Sequence, residues 1–340
     1  MKAISLIAPE RIETVDIAEP TLGPEDVLIE VCCVGLCGSD LNAYRGRSPM
    51  VTYPRVLGHE VGGVVAAVGP KVPSHLEVGA RVTLSPYSHC GACPACRTGR
   101  TNACVHNQTL GVQRDGALTE RVAVGYSKVY PSQTLSVQEL ALVEPISVGC
   151  HATTVGRVSK GDTVAVFGCG AVGLGAIAAS AAADATVIAI DIDDAKLSTA
   201  AHLGAEHAVN SATDDLKARI DSITNNEGVS VAIEAVGAPQ TYQAALEAAA
   251  SAGRVVCVGY SDKIVELDAR LIVKKELEIR GSRNALTEFE SVIRMFEQRT
   301  RPFTELITKI VPFDETASAF REWAAAPQRV MRIIVSRVAA

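Results

Sequence analysis

The segment TVAVFGCGAVGLGAIAA, from Thr163 to Ala179, constrains this chain more than any other. A short apolar run of β-favouring residues leads straight into Gly168, Gly170 and Gly173, and an alanine-rich stretch of helical length follows. Strand, tight turn and helix in that order predict one unit of a parallel α/β sheet. In the G-x-G-x-x-G pattern the first glycine permits the turn and the second lets the backbone approach a pyrophosphate. The third lets the helix pack on the strand. The helix-opening amides around Ala171 and Val172 would face the negative charge.

Glycines at a helix start also serve close packing alone, so the next strand has to separate the two readings. That strand, TVIAI, ends at Asp191, eighteen residues after Gly173. A carboxylate there accepts hydrogen bonds from the adenosine ribose hydroxyls and repels a 2′-phosphate, which predicts NAD rather than NADP. The competing use of Asp191 is helix capping, shared with Asp193 and Asp194, for a helix over Ala195 to Leu203.

The same rhythm extends along the middle of the chain. Strands are expected at Thr163 to Phe167, Thr186 to Ile190, Val231 to Val236, Arg254 to Gly259 and Leu277 to Gly281, with helical patterns between them. Residues 147–284 therefore read as a doubly wound parallel sheet. Residues 1–146 instead show short alternating runs, such as Val27 to Val34 and Val61 to Val68, broken by Gly and Pro, and read as a mostly β domain. Residues 285–340 are expected to fold back onto it through helices at Thr287 to Phe296 and Asp314 to Trp323 and a strand at Arg332 to Val338. A length of 340 residues suits two such domains, closely packed without a linker.

A net charge of −6 without any dense Lys/Arg run argues against nucleic acid or an anionic membrane as partner and for a small molecule. The N-terminal residues lack a signal-peptide pattern, and the alanine-rich stretch ending at Asp184 is too short to span a bilayer, so a cytoplasmic location is expected. In that setting ten cysteines point to reduced thiols that ligate metal.

Their spacing is specific. Cys90, Cys93, Cys96 and Cys104 lie at C-x2-C-x2-C-x7-C, which can close a tetrahedral shell around one zinc and leave no position for water or substrate. Such a site is structural; an iron–sulfur cluster is the competing reading. Three further segments, GLCGSD at 35–40, YPRVLGHE at 53–60 and LVEP at 142–145, bring Cys37, His59 and a carboxylate. Together these could hold a second, incompletely coordinated zinc. Separately, each has an ordinary reading as a core thiol, a turn histidine and a surface acid.

GLCGSD, GHE, the four-cysteine lobe, EPISVGCHA at 144–152 and GCGAVG together resemble the zinc-containing medium-chain dehydrogenase/reductase superfamily across essentially the whole chain. The likeness is greatest to its polyol branch, with sorbitol, galactitol-phosphate and threonine dehydrogenases. YPRVLGHE, CPACRTGRTNAC and GSRNA further resemble L-galactonate and L-gulonate 5-dehydrogenases. The resemblance implies a GroES-like catalytic domain, a Rossmann domain, a cleft between them, and a homo-oligomer, dimer or tetramer. It implies Cys37, His59 and Glu144 as zinc ligands, Glu60 as a carboxylate able to exchange with Glu144, and Ser39 as the start of a proton relay. Many relatives carry a histidine shortly after CG(S/T)D where this chain has Asn42, so later relay steps would use water or the cofactor ribose.

The expected reaction is NAD-linked oxidation of a secondary alcohol on a small polyol or sugar acid. Zinc acidifies the hydroxyl, and the nicotinamide takes the hydride. Arg283, in GSRN after the last sheet strand, is the candidate for a substrate carboxylate, beside Ser39 and Glu144 at the reacting end; Arg45 and Arg114 are weaker candidates. The alternatives are a neutral polyol, amino-alcohol or simple-alcohol dehydrogenase, and a catalytically silent dinucleotide-binding protein.

Overall fold

The strands of the middle segment form one six-stranded, all-parallel sheet in the computed structural model, which describes residues 1–337. Across the sheet the strands run His207–Asn210, Thr186–Asp191, Thr163–Phe167, Val229–Glu234, Ala249–Cys257, Glu278–Gly281. Val164, Ala165 and Val166 are fully buried, as are Val187, Ile188 and Ala189, because helices cover both faces of a parallel sheet. The helices Ala171–Ala182, Asp194–His202 and Pro239–Ala248 supply that cover. The strand order reverses between Thr163–Phe167 and Val229–Glu234, which makes the gap beyond their carboxyl ends the topological switch point.

Several element ends differ from expectation. The strand expected at Val231 to Val236 runs Val229–Glu234, since the Glu234 carboxylate accepts the amides of Val236 and Gly237 and bends the chain out of extension. The next strand starts earlier, at Ala249, and ends at Cys257. His207–Asn210, short and without an apolar run, is a strand the pattern does not announce. The helix after Asp191 is capped by Asp193, whose carboxylate accepts from Ala195 and Lys196, not by Asp191.

This sheet belongs to a unit comprising residues 145–288 and 300–302; the other unit comprises residues 1–144, 289–299 and the stretch from 303 on. In that second body the long strand Asp26–Leu36 is the seam, pairing antiparallel with Glu60–Val68, Arg121–Gly125 and Arg332–Ser336. Arg332–Ser336 also pairs, in parallel, with Ile307–Pro312. A smaller sheet joins Lys2–Ala8 to Arg11–Asp16 and Arg55–Val56. Leu6, Ile29, Leu36, Leu57, Val61, Leu84 and Phe320 are buried together in its core.

The carboxyl-terminal helices are Phe289–Glu297 and Thr316–Ala325. The second starts later than Asp314 because Phe313–Glu315 closes a tighter turn first. The closing strand is Arg332–Ser336; the Val338 end expected for it lies outside the described residues. Among the described residues no helix is long and apolar enough to cross a membrane.

Candidate metal centres and dinucleotide site

Cys37 sits at the cap of the helix Gly38–Tyr44, in extended backbone at the end of the Asp26–Leu36 strand. Asp40, three residues on, accepts the Cys37 amide at 2.9 Å and closes a capping box. His59 and Glu60 arrive from a second direction. Gly58, at φ +97°, turns the chain where a side chain would collide with Val34 and Leu118, and Glu60 then opens the Glu60–Val68 strand opposite Gly35. A β-carbon on Gly35 would lie 2.2 Å from Glu60 Oε2, so that glycine makes room for the carboxylate.

The result is convergence: the ligand atoms of Cys37, His59 and Glu60 lie within 4.8 Å of one another. Glu144 is buried and accepts a hydrogen bond from the buried Tyr87 hydroxyl, and its charge is felt at both His59 and Glu60. It is not one of the three converging groups. Arg332 donates to Glu60 Oε1 and to the Leu36 carbonyl, each at 2.7 Å. Asp40 Oδ1 stands 3.9 Å from His59 Nδ1, too far for a hydrogen bond.

The electrostatics are those of a buried acidic nest. Burial opposes the Cys37 thiolate, but the hydrogen bond and charge of His59 and the charge of Arg332 outweigh it and bring the thiol down to about 7. Burial also opposes the imidazolium of His59, yet Asp40, Cys37 and Glu144 raise its pKa well above the ordinary value. Burial lifts Glu60 strongly, reinforced by the charges of Cys37 and Glu144 and opposed by Arg332. His59 Nδ1, Glu60 Oε2, Asp40 Oδ1 and Ser39 Oγ are buried without hydrogen-bond partners. An imidazole nitrogen and a carboxylate oxygen left unpartnered beside a thiol of lowered pKa, all in one buried shell, fit a zinc ion.

The other residues singled out in the sequence differ in their commitments. Asn42 is exposed. Arg45 donates to the Ala324 carbonyl at 2.7 Å, securing the last turn of the helix Thr316–Ala325. Arg114 lies 3.5 Å from the Pro86 carbonyl and leaves its Nε buried without a partner. Arg283, half-buried, follows the Glu278–Gly281 strand in the other unit, before the left-handed Asn284.

Cys90, Cys93, Cys96 and Cys104 gather in the loop around the short helix Pro94–Arg97. Three of their sulfur pairs are 3.5, 3.6 and 3.8 Å apart, far beyond a disulfide bond. Thiolates about 2.3 Å from one tetrahedral zinc would stand about 3.8 Å from each other, so the spacing suits a single ion. Amides of Cys90, Cys93 and His106 point at the sulfurs. The backbone amides of Cys96 and Val105 bring the Cys93 thiol down to about 6, whereas burial pushes Cys96 up to about 11.

In the Rossmann-like unit, Gly168 at φ +95° makes the turn after Phe167, and a β-carbon on Gly173 would lie 1.8 Å from the Gly168 carbonyl oxygen. Only glycine at 173 lets the helix Ala171–Ala182 approach the strand so closely. Its cap, Gly170, offers no side chain, and a β-carbon there would meet nothing within 4 Å, so that side is open to a pyrophosphate approaching the amides of Ala171 and Val172. Asp191 accepts from the Cys169 amide at 2.7 Å and from Ile192 and Asp193, which ties the carboxylate to the glycine turn.

Three residues beside the first centre escaped the sequence reading. Asp40 carries a detectable signal, an acid at the third helical position after a capping residue. Arg332, a lone cation in an apolar strand, carries a weaker one, and Tyr87 carries none.

Comparison with known proteins agrees with this architecture. Residues 23–134 match the alcohol dehydrogenase GroES-like domain family, and residues 171–298 match the zinc-binding dehydrogenase family. The chain is 38% identical to sorbitol dehydrogenase of Bacillus subtilis over 83% of its own length and 81% of that protein's. It is 31% identical to L-galactonate-5-dehydrogenase of Escherichia coli over 88% of each. Among solved structures, a short chain alcohol dehydrogenase (rspB) from E. coli CFT073 complexed with NADH superposes with a TM-score of 0.90 at 30% identity, covering 99% of each chain. The chain belongs to the zinc-type alcohol dehydrogenase family of the medium-chain dehydrogenase/reductase superfamily, oxidoreductases that act on alcohols, with polyol and sugar-acid dehydrogenases among its relatives.

Proposed function

We propose that this protein oxidises a secondary alcohol on a small polyol or sugar acid to the ketone with NAD, as a cytoplasmic homo-oligomer. The observation that carries the reading is the buried convergence of Cys37, His59 and Glu60 in a GroES-like unit, with Glu144 facing the same group. In this reading Cys37 and His59 hold a zinc ion with Glu144 or Glu60 as third ligand, and the four clustered cysteines hold another. When bound, zinc supplies the Lewis acidity that makes an alcohol deprotonable at neutral pH, and NAD accepts the hydride.

The chain's own residues do the rest. Ser39 Oγ, buried without a partner, takes the alcohol proton and passes it outward; with Asn42 exposed, water or the cofactor ribose completes the route. Arg332 holds Glu60 in place and balances its charge. Gly168 to Gly173 cradle the pyrophosphate. The preference for NAD rests on Asp191, whose charge excludes a 2′-phosphate.

Within this reading an L-gulonate or L-galactonate 5-dehydrogenase is favoured by the GSRN segment, where Arg283 would meet a carboxylate. The higher identity to a sorbitol dehydrogenase favours a neutral polyol instead. A panel of sorbitol, galactitol, threonine, gulonate and galactonate, followed by NADH absorbance, separates these, with zinc content measured in parallel. Zinc-loaded protein that turns over no secondary alcohol, or a Cys37→Ala variant with unchanged turnover and zinc, would overturn the proposal.

A further inference from the structure

Glu234 is a carboxylate with no place in the chemistry above. It ends the strand Val229–Glu234 and is fully buried, flanked in register by Phe167 on one side and Cys257 on the other. Phe167 is the residue before Gly168, so Glu234 stands beside the glycine turn at the point where the strand order reverses.

Its Oε1 accepts three hydrogen bonds, from the amides of Val236 at 3.0 Å and Gly237 at 2.8 Å and from Thr241 Oγ1 at 2.6 Å. These fix the turn between the strand and the helix Pro239–Ala248. The turn is tightly lodged. A β-carbon on Gly168 would come within 2.7 Å of Val236 Cγ2, and one on Gly237 within 2.2 Å of the Tyr260 carbonyl oxygen. The Glu234 carbonyl accepts the amides of Val258 and Gly259, at 2.9 and 3.1 Å. Glu234 thus ties the turn at 235–238 to that at 258–260, and the first of these packs on Gly168.

Glu234 Oε2 is buried without a partner, a costly arrangement for a residue whose only service is packing. Dinucleotides lie across the switch point, with the adenosine half over the first two strands and the other half beyond it. Asp191 serves the first half; the turns tied by Glu234 border the second.

We propose that Glu234 is the positioning residue for the nicotinamide half of the dinucleotide, acting by holding the 235–238 turn against Gly168. This rests on the reading of Gly168 to Gly173 as a dinucleotide turn. Calorimetric titration of the whole protein with AMP and, separately, with NAD tests it. Glu234→Ala should weaken NAD about tenfold while AMP changes by no more than about twofold. Glu234→Gln, whose amide oxygen can replace Oε1, should restore NAD binding.

A purely structural residue would weaken both ligands by one factor or neither, and either result overturns the inference. If Glu234→Ala does not fold, Thr241→Val decides: NAD weakened about threefold with AMP unchanged supports the role, and equal effects overturn it. A wild-type chain that binds neither AMP nor NAD removes the dinucleotide reading itself, and the inference with it.

Discussion

Arg332 meets Glu60 at 2.7 Å in a buried ion pair between the closing strand and the strand that follows His59. The pair spans 272 residues of sequence and leaves Glu60 Oε2 to the group formed with Cys37 and His59. Removing one partner strands the other charge in a buried place. Arg332→Met should therefore destabilise the protein by about 3–5 kcal/mol in urea unfolding, and Glu60→Gln in the same chain should recover part of it. A loss under about 1 kcal/mol would show that the pair does not neutralise Glu60.

The short helix inside the four-cysteine loop buries no residue. Cys93→Ser should lower zinc content by one ion per chain and Tm with it. Unchanged stoichiometry by metal analysis would contradict a zinc at this loop.

Asp191 accepts the Cys169 amide, and in the proposed reading its charge also repels a 2′-phosphate. Asp191→Asn keeps an acceptor and removes the charge. The ratio of kcat/KM for NAD to that for NADP should fall about tenfold. A ratio that does not move would take cofactor choice away from this carboxylate.

Burial alone would raise the Glu288 pKa, but the hydrogen bond and charge of His151, at 2.8 Å, and the amides of Leu286 and Thr287 hold it below its ordinary 4.5. A carboxylate with a depressed folded-state pKa stabilises the fold above the unfolded value and loses that contribution as pH falls through the folded one. Glu288→Gln should thus melt below the wild type near neutrality, and the gap should close progressively once pH drops under 4.5. Melting curves that stay parallel down to acid pH would contradict the linkage.

In the proposed reading Arg283 meets the carboxylate of a sugar-acid substrate. Arg283→Ala should raise KM for a hexonate about tenfold and leave KM for sorbitol nearly unchanged. Equal changes would remove the carboxylate role.

The sequence disclosed what is written locally. Cys90 to Cys104 and Gly168 to Gly173 each fall within one short stretch of chain, so spacing alone brings them together, and the strand Thr163–Phe167 appears with the bounds its apolar run implies. Cys37, His59 and Glu60 were visible as residue types but converge only through strand pairing, Gly35 opposite Glu60. Arg332, Tyr87 and Asp40 were missed because their importance lies in what they touch. Asp191 was separable from its neighbours only by geometry, since Asp193 caps the following helix. Glu234 shows the limit from the other side: its strand was expected to continue to Val236, and the side chain that ends it is the reason it does not.

The position of the Arg332–Ser336 strand, paired on both sides between Ile307–Pro312 and Asp26–Leu36, bears on the order in which the molecule can mature. On the ribosome, all six strands of the parallel sheet have been made once synthesis passes Gly281, so that unit can assemble early. The body carrying Cys37 and His59 must wait with an open seam until residue 336 emerges, and until then Glu60 lacks its counter-charge. In the proposed reading, ion capture at that centre is therefore a late event in the life of the nascent chain, after the strands of the parallel sheet have been made.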